Sequence, residues 1–289
     1  MRARRGDGAA VRPLDLRRWA LWPALAFTAV FFVMPLAGML ALSFTRPDPA
    51  VGATLENYRS FFEQAGGVYL KALWNSLAVT FWTTLVSIAV AYPVAYILAY
   101  RVPPRWQRLL LVLIVIPFWT SYLIRSYSWL LVLSEKGVIS NALLALGVVN
   151  EPIGLGNSRG ATILGFVHFF TMLLTLTIYA NLVQIRESYR RAAADLGASA
   201  PRVFLYITLP LSLPGVAVGA FLTFVLAIGD YITPQILGGS KEMLLPQAIM
   251  LQVGRLADFP MASALSMVLM LVVTAAFLVF ARWLRMERV

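Results

Sequence analysis

The chain has 289 residues, of which 60% are hydrophobic and 13% charged, with a formal net charge of +11. Soluble domains average about 25% charged residues, so this composition and its long apolar runs place the chain in a membrane. It has no cysteine, which excludes disulfides and thiol chemistry and leaves its redox compartment unread.

In chain order, residues 1–18 form a basic tail. A first apolar run follows, too long for a signal peptide and without a convincing cleavage site, and it reads as a retained span. Six transmembrane helices are expected, at about Ala20–Phe44, Trp74–Tyr100, Leu109–Leu133, Ala161–Val183, Val203–Ile228 and Met261–Phe280. An outer loop with Pro47, Pro49, Gly66 and Gly67 joins the first two. Arg101–Arg108 (RVPPRWQR) is a tight turn whose prolines end one helix and begin the next. The segment 134–160 carries a short helix around Val138–Leu146 and then a Gly/Pro/Asn-rich loop. The segment 229–260 is polar and punctuated by Pro234, Gly238, Gly239 and Pro246. The expected architecture is all-α: one polytopic membrane domain over residues 19–289, with its core at about 70–284.

Charge orients the bundle. The tail, the C-terminus and the loops 101–108 and 186–202 hold 16 of the 24 basic residues and five of the 13 acids, so the whole formal excess lies on one face. The positive-inside rule makes that face, with both termini, cytoplasmic. Anionic lipid accounts for the excess without nucleic acid as a partner.

Motifs for chemistry are absent. No GxxxxGK[ST] loop, HExxH pair, metal-ligand cluster or nucleophile elbow occurs, and GGSK at Gly238–Lys241 lacks phosphate-loop spacing. His168 is the single histidine, and a lone histidine in a span is ordinarily a hydrogen-bonded packing residue. The chain is therefore expected to be no enzyme and to bind no cofactor or metal. Any ATP that drives it is hydrolysed on another subunit.

The segment from Arg186 to Ser212 is the most informative. Glu187, Arg191 and Asp195 fall at i, i+4 and i+8 and can form a ladder on one helix face. Ala192, Ala193 and Ala194 favour helix and offer a small surface. Gly197 can stop the helix, Ser199 can cap the next one, and Pro201 suits its first turn. At these residues the chain resembles the permease subunits of ABC importers, whose signature loop reads EAA, three residues, Gly, nine residues, Ile-x-Leu-Pro. Ala192, Ala193, Gly197, Ile207, Leu209 and Pro210 match, and Arg191 stands where the pattern has Glu. Ala198 and Ser199 complete the segment. More narrowly, Ile116–Ile153, Arg191–Ser199 and Gly229–Gly239 resemble the spermidine/putrescine permease group. The resemblance implies a type I importer permease in a bacterial inner membrane. It also implies a second homologous permease, two ATPase subunits with a groove for the signature helix, and a periplasmic solute-binding protein.

A polyamine needs carboxylates for its charge and aromatic faces for its ammonium groups. Asp230, at the outer end of the fifth span beside Tyr231, is one candidate; the alternative is a solvated helix-end charge. The sequence shows no buried partner for it. Trp119 and Tyr122 belong to an aromatic cluster that suits either a cation or an interfacial belt. Arg125, within that cluster, would repel a cation and is expected to pair with a carboxylate or a carbonyl as a gate or strut. Other solutes, such as an opine, another amine or an anion, stay open within the same importer class. An ion-coupled secondary transporter would call for more buried charge near the midplane than this chain carries.

Overall fold

The computed structural model describes residues 22–45, 52–63, 67–239 and 242–286. The basic tail 1–18, Pro47, Pro49 and Gly66 lie outside the described residues. In chain order the helices are α1 (Trp22–Ser43), α2 (Glu56–Glu63), α3 (Val68–Tyr100), α4 (Pro104–Trp119), α5 (Tyr122–Val132), α6 (Val138–Ala145), α7 (Arg159–Leu182), α8 (Glu187–Asp195), α9 (Ala200–Ile228), α10 (Ile232–Leu237), α11 (Leu245–Leu251) and α12 (Phe259–Met286). No strand occurs among the described residues.

Five helices are long and apolar enough to cross a membrane: α1, α3, α7, α9 and α12. The expected third span is not one helix. It is the pair α4 and α5, bent by 89°. Pro117 accounts for the break, because it has no N–H to give to the turn before it. Residues Ile116–Trp119 tighten into a 3-10 turn, and Thr120 and Ser121 become extended. Prolines leave a second mark. The helix widens into a π turn at Ala29–Val33, two residues before Pro35, and again at Phe204–Thr208, two residues before Pro210. In each case the carbonyl four residues ahead of the proline lies inside the widened turn, which relieves the clash with the proline ring.

The centre of the bundle is α7, which packs most extensively on α3 and then on α9. The α3 face of this seam is a stripe of small side chains, Ser76, Thr80, Thr83, Ser87, Ala91 and Ala95, all buried. Small residues let helices approach closely where lipid supplies no hydrophobic drive between them. Towards the arginine-rich end, Ala91, Tyr92 and Ala95 meet Leu174, Ile178 and Leu182. Towards the other end, Val79, Phe166, Phe170, Ala227 and Leu244 form a second cluster.

The segment 229–260 is more structured than its polar composition suggests. Leu245 and Ala248 of α11 are buried with Phe61, Met261 and Leu265, which ties α2, α11 and the start of α12 together. Across the same end of the bundle, Arg159 Nε donates to Glu242 Oε2 at 2.6 Å and Arg159 Nη2 donates to Asn75 Oδ1 at 2.8 Å.

The α7–α9 contact depends on Gly215 and Gly219, one turn apart on α9. A Cβ at Gly215 would stand 2.5 Å from the Asn181 Cβ, and one at Gly219 would meet Leu174 at 2.8 Å as well as Thr177. Overpacking of this kind costs about 1–3 kcal/mol. Gly219→Val should therefore lower the melting midpoint of the purified protein in detergent by several degrees. An unchanged midpoint would show that the seam relaxes freely.

Candidate functional site

The arginine-rich end carries α8 as an exposed helix. Its C-terminus closes with Gly197 at φ +85, where the Gly197 N–H donates to Ala194 O at 2.9 Å and the Ala198 N–H to Ala193 O at 3.0 Å. This is a Schellman stop, and glycine takes its left-handed position without a Cβ penalty. Ser199 occupies the N-cap position of α9 in extended backbone, yet its hydroxyl makes no capping bond. The second helical residue there is Pro201, which has no N–H to donate. The charge ladder is present in its first rung: Arg191 Nη2 lies 2.9 Å from Glu187 Oε1, and both side chains are exposed. No second rung to Asp195 occurs among the described residues. On the free side of α8, Tyr189 and Ala192 are exposed and Leu196 is 89% exposed. They follow each other at helical spacing. The run of apolar side chains on an otherwise polar helix was the available signal for Tyr189 and Leu196, which sequence reasoning passed over.

At the break between α4 and α5, Arg125 is 8% exposed and folds back on the corner. Its Nη2 donates to the carbonyls of Pro117 at 2.8 Å and Thr120 at 3.1 Å. Its guanidinium also lies 5.0 Å from the Phe169 ring centroid. A cation at a helix C-terminus satisfies carbonyls that the helix itself leaves open. Arg125 thus pairs with carbonyls and bridges the two arms of the broken span.

Next to this corner, Asp230 sits between the end of α9 and the start of α10. Its Oδ1 accepts the Ile232 N–H at 2.8 Å and its Oδ2 accepts the Thr233 hydroxyl at 2.7 Å. The Tyr122 hydroxyl donates to Oδ2 as well and also meets the Thr233 hydroxyl. The expectation that Asp230 has no partner is therefore corrected. The short local spacing Asp230-x-Ile232-Thr233 caps α10, and the third donor comes from the broken span, a long-range contact invisible in one sequence. Tyr122, Arg125 and Asp230 are brought together. Trp119 is not, being 84% exposed. His168 accepts the Trp129 Nε1–H at Nδ1, 2.9 Å away.

Tyr231 turns the other way, into an open cleft of about 620 Å³ that Gln235, Met243, Gln247, Met250 and Arg255 also line. Gln247 Nε2 donates to Gln235 Oε1 at 3.3 Å across it. These lining groups are mostly neutral: two amides, thioethers and a phenol, with one guanidinium. Sequence reasoning did not find the cleft, because α10 and α11 come together only in the fold.

A family model described as "Binding-protein-dependent transport system inner membrane component" matches residues 91–286. The chain belongs to this family of ABC importer permeases. It is 31% identical to the spermidine/putrescine transport system permease protein PotB of Haemophilus influenzae over 258 residues, 88% of this chain and 89% of the relative. It is likewise 31% identical to PotB of Escherichia coli, over 89% of this chain and 94% of the relative. It is 30% identical to the molybdenum transport system permease protein ModB of Mycobacterium bovis, over 92% and 94%. Among solved structures, a bacterial ABC transporter involved in alginate import superposes with a TM-score of 0.76 at 17% identity, covering 94% of this chain and 96% of that one. The permease is thus a multi-pass inner-membrane protein with the importer fold.

The bond between Tyr122 and Asp230 generates a stability test. Asp230→Ala leaves the Ile232 N–H and one of the two hydroxyls of Tyr122 and Thr233 without their acceptor and should destabilise the purified permease by about 1–3 kcal/mol. Tyr122→Phe should add little on top, because both changes remove the same bond. Thermal unfolding of the two single variants and the double reads this. Additive losses would mean that the two side chains act independently.

Proposed function

We propose that this permease is the translocation subunit of an ATP-driven, binding-protein-dependent importer of polyamines or related organic cations. The observation that carries the reading is the 31% identity to two spermidine/putrescine permeases along 88% and 89% of the chain. In this reading both termini and α8 are cytoplasmic. Two ATPase subunits bind and hydrolyse ATP, a second homologous permease completes the pathway, and a periplasmic protein delivers the solute to the opposite end.

Residues Glu187 to Ser199 form the dock for one ATPase subunit. The exposed Tyr189, Ala192 and Leu196 supply the apolar anchor. Arg191 changes the charge that the family pattern places there, yet its ion pair with Glu187 is exposed. Such pairs contribute about 0–1 kcal/mol, so both charges are free to exchange partners on docking. Closure of the ATPase dimer moves α8, and the bundle switches access by rocking.

The cation enters beside Tyr231. Asp230 accepts three donors and lies one residue from that ring. Tyr231, which is open to the cleft, makes the contact, and Asp230 acts through its field.

Two experiments test this reading. Vesicles carrying the permease with its second permease, ATPase and binding protein should import spermidine only when ATP is present, and Tyr231→Leu should raise the KM about three- to thirtyfold, the range of a lost cation–π contact. Import of molybdate and not of spermidine would overturn the substrate assignment. Separately, Gly197→Asp places a side chain at φ +85, and it should abolish uptake with normal insertion, either by losing the ATPase or by uncoupling it. Normal uptake by that variant would remove α8 as the dock.

A further inference from the structure

We propose that Arg190 and Tyr100 form the mechanical link that carries displacement of α8 into the membrane, through a ladder of aromatic rings that ends on the π turn of α9. The proposal rests on α8 being the ATPase dock.

Of the nine residues of α8, Arg190 and Ala193 are the two that the bundle partly covers. The Arg190 guanidinium carbon lies 3.9 Å from the centroid of the Tyr100 ring. Tyr100 is the last residue of α3, and its hydroxyl donates to Leu182 O at 3.0 Å, at the end of α7. One side chain of the dock therefore bears on the ends of the two most extensively packed helices at once.

The contact continues inward. Tyr92, Tyr96 and Tyr100 recur every fourth residue of α3 and so share one face. Tyr96 and Tyr100 stand 5.1 Å apart between centroids, edge to face. Phe204 of α9 inserts its ring between the upper two, 5.6 Å from Tyr96 and 5.8 Å from Tyr92, again edge to face. Tyr92 then shares a 2.8 Å hydrogen bond with Ser212, further along α9. The ladder thus grips α9 on both sides of its π turn, which starts at Phe204.

The backbone offers a second route. Between α8 and α9 the chain passes through Gly197 in the left-handed region and an extended Ser199, and α8 also rests on the first turns of α9, so the ring ladder runs beside a direct contact. Rings held edge to face have few soft torsions and resist shear. At the far end is an element that can change state. A π turn returns to α geometry by shifting its hydrogen bonds one residue, and such turns recur at functional sites. In this one the Leu209 N–H reaches back to Phe204 O, and the buried Thr208 hydroxyl has no partner. A push on Phe204 acts on the first residue of the turn. Arg190 and Tyr100 are positioning residues here: they touch neither solute nor nucleotide.

The test uses the assembled transporter in vesicles and reads solute imported per ATP hydrolysed, with co-purification of the ATPase as the control for docking. Arg190→Gln and Tyr100→Leu should each lower that ratio about two- to fivefold, the weight of one partly exposed cation–π contact. The double variant should lose no more than the worse single one. Arg190→Lys keeps a cation over the ring and should retain most of the ratio, and Phe204→Leu should reproduce the loss. Full ratios in both single variants, or additive losses in the double, would overturn the link. So would loss of the ATPase from Arg190→Gln, which would make Arg190 a docking residue. If Gly197→Asp uncouples while these variants do not, the dock stands and the link falls. If Gly197→Asp also transports normally, both fall.

Discussion

A proline in a membrane span removes one N–H and presses its ring on the carbonyl four residues back, and lipid offers no water to repair either. Pro93 and Pro214 are absorbed inside continuous α-helix, whereas three other prolines mark the shape of this permease. At Pro35 and Pro210 the helix stays continuous by widening into a π turn. At Pro117 it fails altogether, and the span turns through 89°. The carbonyls at this corner gather donors: Pro117 O accepts the Thr120 N–H and hydroxyl, and a side chain adds to them. Arg125 does so from the far side of the break, at 2.8 Å to Pro117 O and 3.1 Å to Thr120 O, and ties the two arms together.

The repaired corner then organises the end of the bundle around it. Once α5 is turned, Tyr122 faces Asp230, and the carboxylate gathers donors from the broken span and from α10. That fixes the end of α9 and the start of α10, and with them the wall of the cleft that Tyr231 and Gln235 line. The opposite end is built on a different principle. There α8 stays exposed, held by a few contacts to α3 and the start of α9. Between the two ends, the small-residue stripe of α3 and the Gly215–Gly219 face of α9 press on α7. Close backbone packing makes this middle stiff, so that movement at one end has somewhere to go.

The sequence disclosed what depends on composition and on local spacing. Five of the six spans, the stop at Gly197 and the helix before it are properties of short windows, and the structure has them. The short helix α6 is likewise found at its expected place. What was illegible depends on groups far apart in the chain. Leu109–Leu133 reads as one apolar run because hydropathy does not register that Pro117 and the following Thr-Ser can turn it. Of the three donors to Asp230, the one that ties it to the broken span, Tyr122, lies 108 residues away, whereas Ile232 and Thr233 were within local reach. The segment 229–260 reads as a polar loop because its glutamines and glycines mask the buried Leu245 and Ala248. Ser76, Thr80, Thr83 and Ser87 were legible in principle, since their spacing places them on one helix face, but a stripe of hydroxyls in a span carries meaning only when a second helix is known to lie on it.

The relatives separate what the fold does from what selects the cargo. Permeases for spermidine/putrescine and for molybdenum stand at 31% and 30% identity to this chain over similar lengths. Their names describe solutes of different chemistry, so the helix bundle that such permeases share cannot be what discriminates. In the proposed reading, selection lies in the few side chains that face the open cleft. In this permease those are neutral acceptors and a phenol, with Arg255 as a fixed positive charge among them. Asp230 adds a negative charge one residue from Tyr231, but its oxygens are already occupied. In the proposed reading a cation passing here meets the ring of Tyr231 and is attracted by a carboxylate it does not touch, because the amide oxygens of Gln235 and Gln247 already accept from Gln247 Nε2 and the Leu244 N–H. Weak, unpaired contacts of this kind let a solute leave as readily as it enters, which is what a pathway requires and a binding protein does not.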